Sequence, residues 1–191
     1  MTSLLQDLTY DTVDNFTLGS ARRPAKVLDV YDADTIKIAI LIGDTPAKFT
    51  MRLTGIVTPE RNAKGADRNR VGLERTCAYR ARARLLFLLT KQASFADGKK
   101  TYSNQDVRDA CSKSTRLIQI EPNGFDKYGR VLGRAYLDDE QCINEVLLAE
   151  GYAKEYDGGR REIWDIETLE KMLSGAADQA ADQYADQSAE A

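Results

Sequence analysis

From Ala25 to Ile56 the chain writes three strands in succession, with only tight turns between them. Val27, Leu28, Val30 and Tyr31 give an apolar strand that ends at Asp32–Thr35. Ile36, Ile38, Ile40 and Ile42 then alternate with Lys37, Ala39 and Leu41, the period-two signature of a half-buried strand. Gly43-Asp44-Thr45-Pro46 turns the chain, and Lys48–Ile56 forms a third strand that Pro59 ends. Links this short give a meander of neighbouring strands. Arg116–Ile120 and Val131–Leu137, joined by a Gly124–Gly129 turn, read as two more.

Helical spacing accounts for the remaining apolar positions. Cys77, Ala81, Leu85 and Leu88 recur every three or four residues within a helix predicted from Leu73 to Thr90. A second helix is expected at Cys142–Glu150, with Gly151 in its C′ position. A last one is expected from near Arg161, carrying Ile163, Trp164, Ile166, Leu169 and Leu173, with Trp164 docking it on the core. Residues 61–72 read as a mobile basic loop, and residues 91–115 as a polar surface excursion with at most a helical turn. The predicted class is α+β: a five-stranded Greek-key β-barrel of the OB type with about three helices, over residues 25–174. An N-terminal arm, 1–24, with one short strand at Phe16–Leu18, precedes it, and an acidic tail rich in Ala, Asp and Gln, 175–191, follows.

The chain has 191 residues, enough for one domain with a real core. No apolar run approaches the length of a membrane span, and the first residues lack a secretory pattern, so an intracellular, membrane-free protein is expected. The three cysteines, Cys77, Cys111 and Cys142, are widely spaced and read as free thiols. There is no histidine, which excludes histidine acid–base chemistry and Ser-His-Asp arrangements. Charge is uneven: residues 60–100 hold eleven Lys/Arg against four Asp/Glu, and residues 138–191 hold four against fifteen. The basic segment suits a polyanion; a solvated helix face is the plainer alternative.

Three motifs bring the residue types that phosphodiester hydrolysis needs. Asp32-Ala33-Asp34-Thr35 supplies carboxylates that suit a hard cation. Arg52, followed by Thr58-Pro59-Glu60, supplies a phosphate fork and a carboxylate able to position or deprotonate water. Asp126-Lys127-Tyr128-Gly129-Arg130 adds a second arginine in a tight turn.

In this order, and with Ile143-Asn144-Glu145, Leu147 and Gly151 behind them, these motifs resemble the thermonuclease (staphylococcal nuclease-like) family over residues 25–173. The extended Tyr156-Asp157-Gly158-Gly159 and the N-terminal arm look closer to its eukaryotic and large-virus branch. The resemblance implies a calcium-dependent nuclease acting on DNA or RNA. It makes Asp34 a calcium ligand, with Asp32 as a candidate second, and assigns the Thr58 carbonyl to the ion. Arg52 and Arg130 would bind the scissile phosphate and Glu60 would act on the attacking water. Lys64, Arg68, Arg70, Lys127 and Tyr128 are the candidate nucleic-acid contacts.

Two departures from the family pattern stand out. Val57 replaces the second calcium aspartate, removing one hard ligand and one negative charge. Ala33 replaces the turn glycine, which would strain the backbone if that position needs positive φ. Besides an active nuclease, the sequence therefore supports a domain that holds single-stranded nucleic acid without cutting it. A third reading is a monomeric protein-interaction module, with its partner at the acidic C-terminal region.

Overall fold

The structure, a computed structural model, describes residues 3–96, 98, 100–138, 140–159 and 161–174. Its strands are β1 (Arg23–Asp32), β2 (Thr35–Ile42), β3 (Thr45–Leu53), β4 (Ile56–Val57), β5 (Ile118–Phe125), β6 (Val131–Tyr136) and β7 (Lys154–Glu155). Its α-helices are α1 (Ser3–Gln6), α2 (Arg68–Thr90), α3 (Asn104–Lys113), α4 (Ile143–Ala149) and α5 (Ile166–Leu173).

Five strands close into a barrel in the order β1-β2-β3-β6-β5, while β4 and β7 pair separately. All contacts are antiparallel except β3 with β6, which run parallel, with Arg52 opposite Leu132. The predicted OB-type barrel is therefore present. The alternation in the sequence carries it: Ile36, Ile38, Ile40, Met51, Leu53, Ile120 and Val131 are buried inside. Burying an apolar side chain of this size contributes about 1.5–3 kcal/mol, so seven of them dominate the local balance.

Gly133 marks the seam. It pairs with Leu53 on one side and Pro122 on the other. A Cβ there would stand 2.3 Å from the Glu121 carbonyl oxygen and 3.1 Å from the Pro122 Cα. Both are backbone atoms in paired strands and have no room to yield. Gly133→Ala is expected to destabilise the fold by about 1–3 kcal/mol or more, the range of overpacked cores. Urea unfolding of the variant checks this, and an unchanged midpoint would mean that the seam has room for a methyl group.

Several boundaries differ from expectation. The long third strand divides at Thr54-Gly55 into β3 and β4, since Gly55 has φ +78°. The strand expected at Phe16–Leu18 is absent; Leu18 is buried, and its carbonyl accepts from the Arg23 guanidinium. The polar excursion contains the ten-residue α3, capped by a reciprocal Ser103–Asp106 box and buried through Val107, Ala110 and Cys111. Helix α2 starts at Arg68, inside the expected loop, on an Asp67 cap that accepts from the Arg70 amide. The last helix starts at Ile166 rather than near Arg161, leaving Ile163 exposed, while Trp164 is buried as expected.

The three cysteines are free and buried. Burial pushes the Cys77 thiol up to about 12 and the Cys111 thiol up to about 11, so both stay protonated and inert at neutral pH. Among the described residues, no helix is long and apolar enough to cross a membrane. The Ala/Asp/Gln-rich tail lies outside the described residues.

Candidate active site

The β1–β2 turn, the β3–β4 segment and the loop after β4 converge at one end of the barrel. Asp32 pairs with Thr35 across a two-residue turn formed by Ala33 and Asp34. Ala33 does not adopt positive φ, so alanine in place of the turn glycine carries no left-handed strain; its side chain is buried. Asp34 is buried and held on all sides. Its Oδ1 accepts from Thr35 Oγ1 at 2.8 Å and its Oδ2 from Arg52 Nη1 at 2.8 Å, while its carbonyl accepts from the Leu53 amide at 2.8 Å.

Arg52 lies on the outer face of β3, between buried Met51 and Leu53. Besides Asp34 it donates through Nη2 to the Ile56 carbonyl at 3.3 Å, and its guanidinium lies 5.4 Å from the Tyr156 ring centre. The parallel register pairs Met51 with Val131 and so sets Arg130 one residue before that pair. Arg130 belongs to a turn wound around Asp126, whose Oδ1 accepts from the Tyr128 and Arg130 amides at 2.9 Å. Its Oδ2 accepts from Arg130 Nε at 2.7 Å, and Gly129 supplies the φ of +77° the turn requires. Burial pushes the Asp126 carboxyl up, but the hydrogen bonds from Arg130 outweigh it and leave the group below its ordinary range. Lys127 Nζ and the Arg130 guanidinium lie 5.2 and 5.7 Å from the ring of exposed Tyr128.

The basic stretch after β4 does not form one open polycationic face. Arg61 donates to Asp32 Oδ1 at 2.9 Å and to Asn104 Oδ1 at 3.1 Å, with its guanidinium 4.5 Å from the Tyr31 ring centre. Asn62 donates to the Tyr31 hydroxyl at 3.1 Å. Arg70 pairs with Glu74 and donates to the Lys64 carbonyl at 2.9 Å. Arg75 and Arg80 donate to the Ala63 and Leu173 carbonyls, and Arg84 pairs with Glu150. Buried Arg82 donates to the Val30 and Tyr102 carbonyls and to Asn104 Oδ1, and burial lowers its pKa to about 10. These arginines tie loops and helices to the barrel, so the loop expected to be mobile is fastened at several points. Lys64 and Arg68 are exposed, while Arg70 is half-buried and committed to its own helix turn.

Glu60 is partly exposed and forms an ion pair through Oε1 with Arg161, whose other terminal nitrogen donates to the Thr58 carbonyl. Burial lowers the Arg161 pKa and Arg52 adds to this, with Asp34 and Asp32 opposing. Arg161 thus binds the chain at Thr58 and Glu60, just past the Ile56 carbonyl that Arg52 holds. Burial also pushes the Asp32 carboxyl up, against its Arg61 partner, and Asp34 adds to the rise. The sequence motifs did not include Arg161, Arg61, Asn104 or the position of Tyr156. One signal was present: Arg160-Arg161 is the one pair of adjacent cations in an otherwise acidic C-terminal third.

The residues do not fit a calcium ion as folded. Calcium takes six to eight oxygen ligands, charged ones above all. Here both Asp34 oxygens have partners, Asp32 is held by Arg61, and the Thr58 carbonyl is held by Arg161. Val57 is buried in the apolar core and offers no oxygen. The Thr58 hydroxyl is buried without a hydrogen-bond partner, but one neutral oxygen is a poor lure for a dication. Among the described residues, no group of three or more Asp, Glu, Cys or His side chains is arranged to hold a metal.

Asn144 explains why a block behind the barrel accompanies the site. Its buried side chain donates to the Thr54 carbonyl at 2.7 Å and accepts from the Ala135 amide at 3.2 Å, locking α4 to the turn that follows Arg52. No curated protein matches the chain at a significant level. The family model described as staphylococcal nuclease homologue matches residues 50–184, a span that runs from β3 past the end of α5 and holds Arg52, Glu60, Arg130 and Arg161. With the barrel order and these side chains in hand, the chain belongs to the staphylococcal nuclease homologue family.

Proposed function

We propose that the domain is a nuclease that hydrolyses phosphodiester bonds of DNA or RNA at the Asp34–Arg52–Glu60 centre. One observation carries this reading: Arg161 holds the Glu60 carboxylate and the Thr58 carbonyl just past the Ile56 carbonyl that Arg52, paired with Asp34, holds, so carboxylates and two guanidiniums gather along one short stretch of chain. Arg52 and Arg130 grip the non-bridging oxygens of the scissile phosphate and stabilise charge that grows on them in the transition state. Glu60 Oε1 is committed to Arg161, which leaves Oε2 to orient the attacking water and take its proton. Water forms the new P–O bond, the bond to the leaving sugar oxygen breaks, and that oxygen takes a proton from solvent. Exposed Lys64, Arg68, Lys127 and Tyr128 flank the path of the strand, with Tyr128 offering a ring for stacking.

Calcium is the ion that the family resemblance implies, but the carboxylates that would hold it are already paired with guanidiniums. A second reading, a domain that binds single strands without cutting them, draws support from the guanidinium held by every carboxylate of the site. The two readings part on a short fluorescent single-stranded DNA. The nuclease reading expects cleavage that Glu60→Gln lowers by about 10²–10⁴-fold, the usual contribution of general acid–base catalysis. Binding that weakens with salt, with no product at any protein concentration, would establish the second reading instead.

A further inference from the structure

The resemblance gives this family's site a calcium ion, yet this chain carries a guanidinium at the same groups. We infer that Arg161 is a built-in replacement for the divalent cation, and that the site works without one. Arg161 donates at once to the Thr58 carbonyl and the Glu60 carboxylate, two of the groups that the resemblance assigns to the ion and to its water. A planar guanidinium with five fixed donors suits such a double contact, and it stays charged at any working pH.

The charge count agrees. The site holds three carboxylates, Asp32, Asp34 and Glu60, and each is paired with its own guanidinium, from Arg61, Arg52 and Arg161. No uncompensated negative charge remains to draw a dication out of water. Loss of an acid at position 57 fits the same balance, because Val57 is buried among apolar side chains and lines a recess with Lys154 and Trp164. Trp164 also fixes where Arg161 lies. It is buried, with Lys154 Nζ 4.6 Å from its ring centre, and the segment 161–165 runs directly into the Asp165 cap of α5. The cation is thus delivered by a segment anchored at both the β4–β7 pair and the last helix.

The catalytic arm of this inference rests on the nuclease reading; the binding arm does not. The test titrates calcium chloride alone into the full chain by calorimetry, with thermal melting in parallel. It covers wild type, Arg161→Ala, Val57→Asp and the double variant. Wild type is expected to give no saturable binding up to about 10 mM calcium, beyond the weak end of protein calcium sites. The double variant, which adds one carboxylate and removes one guanidinium, is expected to bind at least tenfold more tightly than either single variant and to melt higher with calcium. Saturable wild-type binding below about 1 mM that Arg161→Ala leaves unchanged would overturn the inference. So would a folded double variant that gains no calcium affinity.

If the double variant does not fold, the wild-type titration and the effect of EDTA on cleavage decide. Wild-type cleavage should survive EDTA within about twofold, and loss of cleavage on chelation would overturn the inference. A wild-type protein that cuts nothing under any condition removes the nuclease reading, while the calcium titration still decides what Arg161 replaces.

Discussion

Replacing Arg52 by alanine is expected to lower phosphodiester cleavage by roughly 10³-fold or more, the scale of arginines that stabilise a transferring phosphoryl group. Arg52 is the most enclosed of the cations offered to a phosphate here: its side chain is 16% exposed, against 32% for Arg130. Its bonds to Asp34 and to the Ile56 carbonyl fix the guanidinium plane before any substrate arrives, and preorganisation of this kind is what makes a charge effective in the transition state. The same bonds mean that alanine also strips a partner from buried Asp34, so a melting curve must accompany the rates. Arg52→Lys separates the two effects, because it keeps the charge but loses the planar fork. If the lysine variant melts like wild type yet cuts as poorly as the alanine variant, the fork is the working element. Equal rates for Arg52→Ala and wild type would move the phosphate away from β3 altogether.

How far the sequence reached depends on the distance over which each contact acts. The strand alternation of Ile36–Ile42 reports burial directly, so the barrel was legible. The Asp126–Arg130 turn was legible too, since every bond in it spans four residues or fewer. Helix α3 was hidden because its buried stripe is only Val107, Ala110 and Cys111 within a polar segment, although the Ser103–Asp106 capping box was a local clue. The tail of β5 was hidden by Pro122 and Gly124, which the strand absorbs in an irregular register against β6. The arginines of α2 looked like a basic face because their partners lie far away in sequence: Val30, Ala63, Glu150 and Leu173 are 12 to 93 residues distant. Arg161, the cation nearest Glu60, was hidden in the same way, since the two pair across 101 residues. Composition registers such charges, but only the fold says which are already neutralised.

Arg84→Ala is expected to destabilise the fold by about 3–5 kcal/mol, the cost of leaving a buried charge without its counter-ion. The Glu150 side chain is fully buried, and both its oxygens accept from Arg84, one from Nε at 2.7 Å and the other from Nη2. Arg84 lies on α2 and Glu150 caps the end of α4, so the pair joins the long helix to the one that carries Asn144. Hydrophobic replacement of both partners is often neutral in such pairs, because it removes the desolvation of two ions together with their attraction. Arg84→Met with Glu150→Leu should therefore recover most of the loss in guanidinium unfolding, and the coupling between the two sites is the quantity to read. A single-variant loss under about 1 kcal/mol would place the pair in the class of solvated surface bridges and contradict its burial. A large loss that the double variant repairs would show that the ions are exchangeable for packing here. What the pair then contributes is register. It holds α4 so that Asn144 meets the Thr54 carbonyl, two residues past the arginine on which cleavage is proposed to depend.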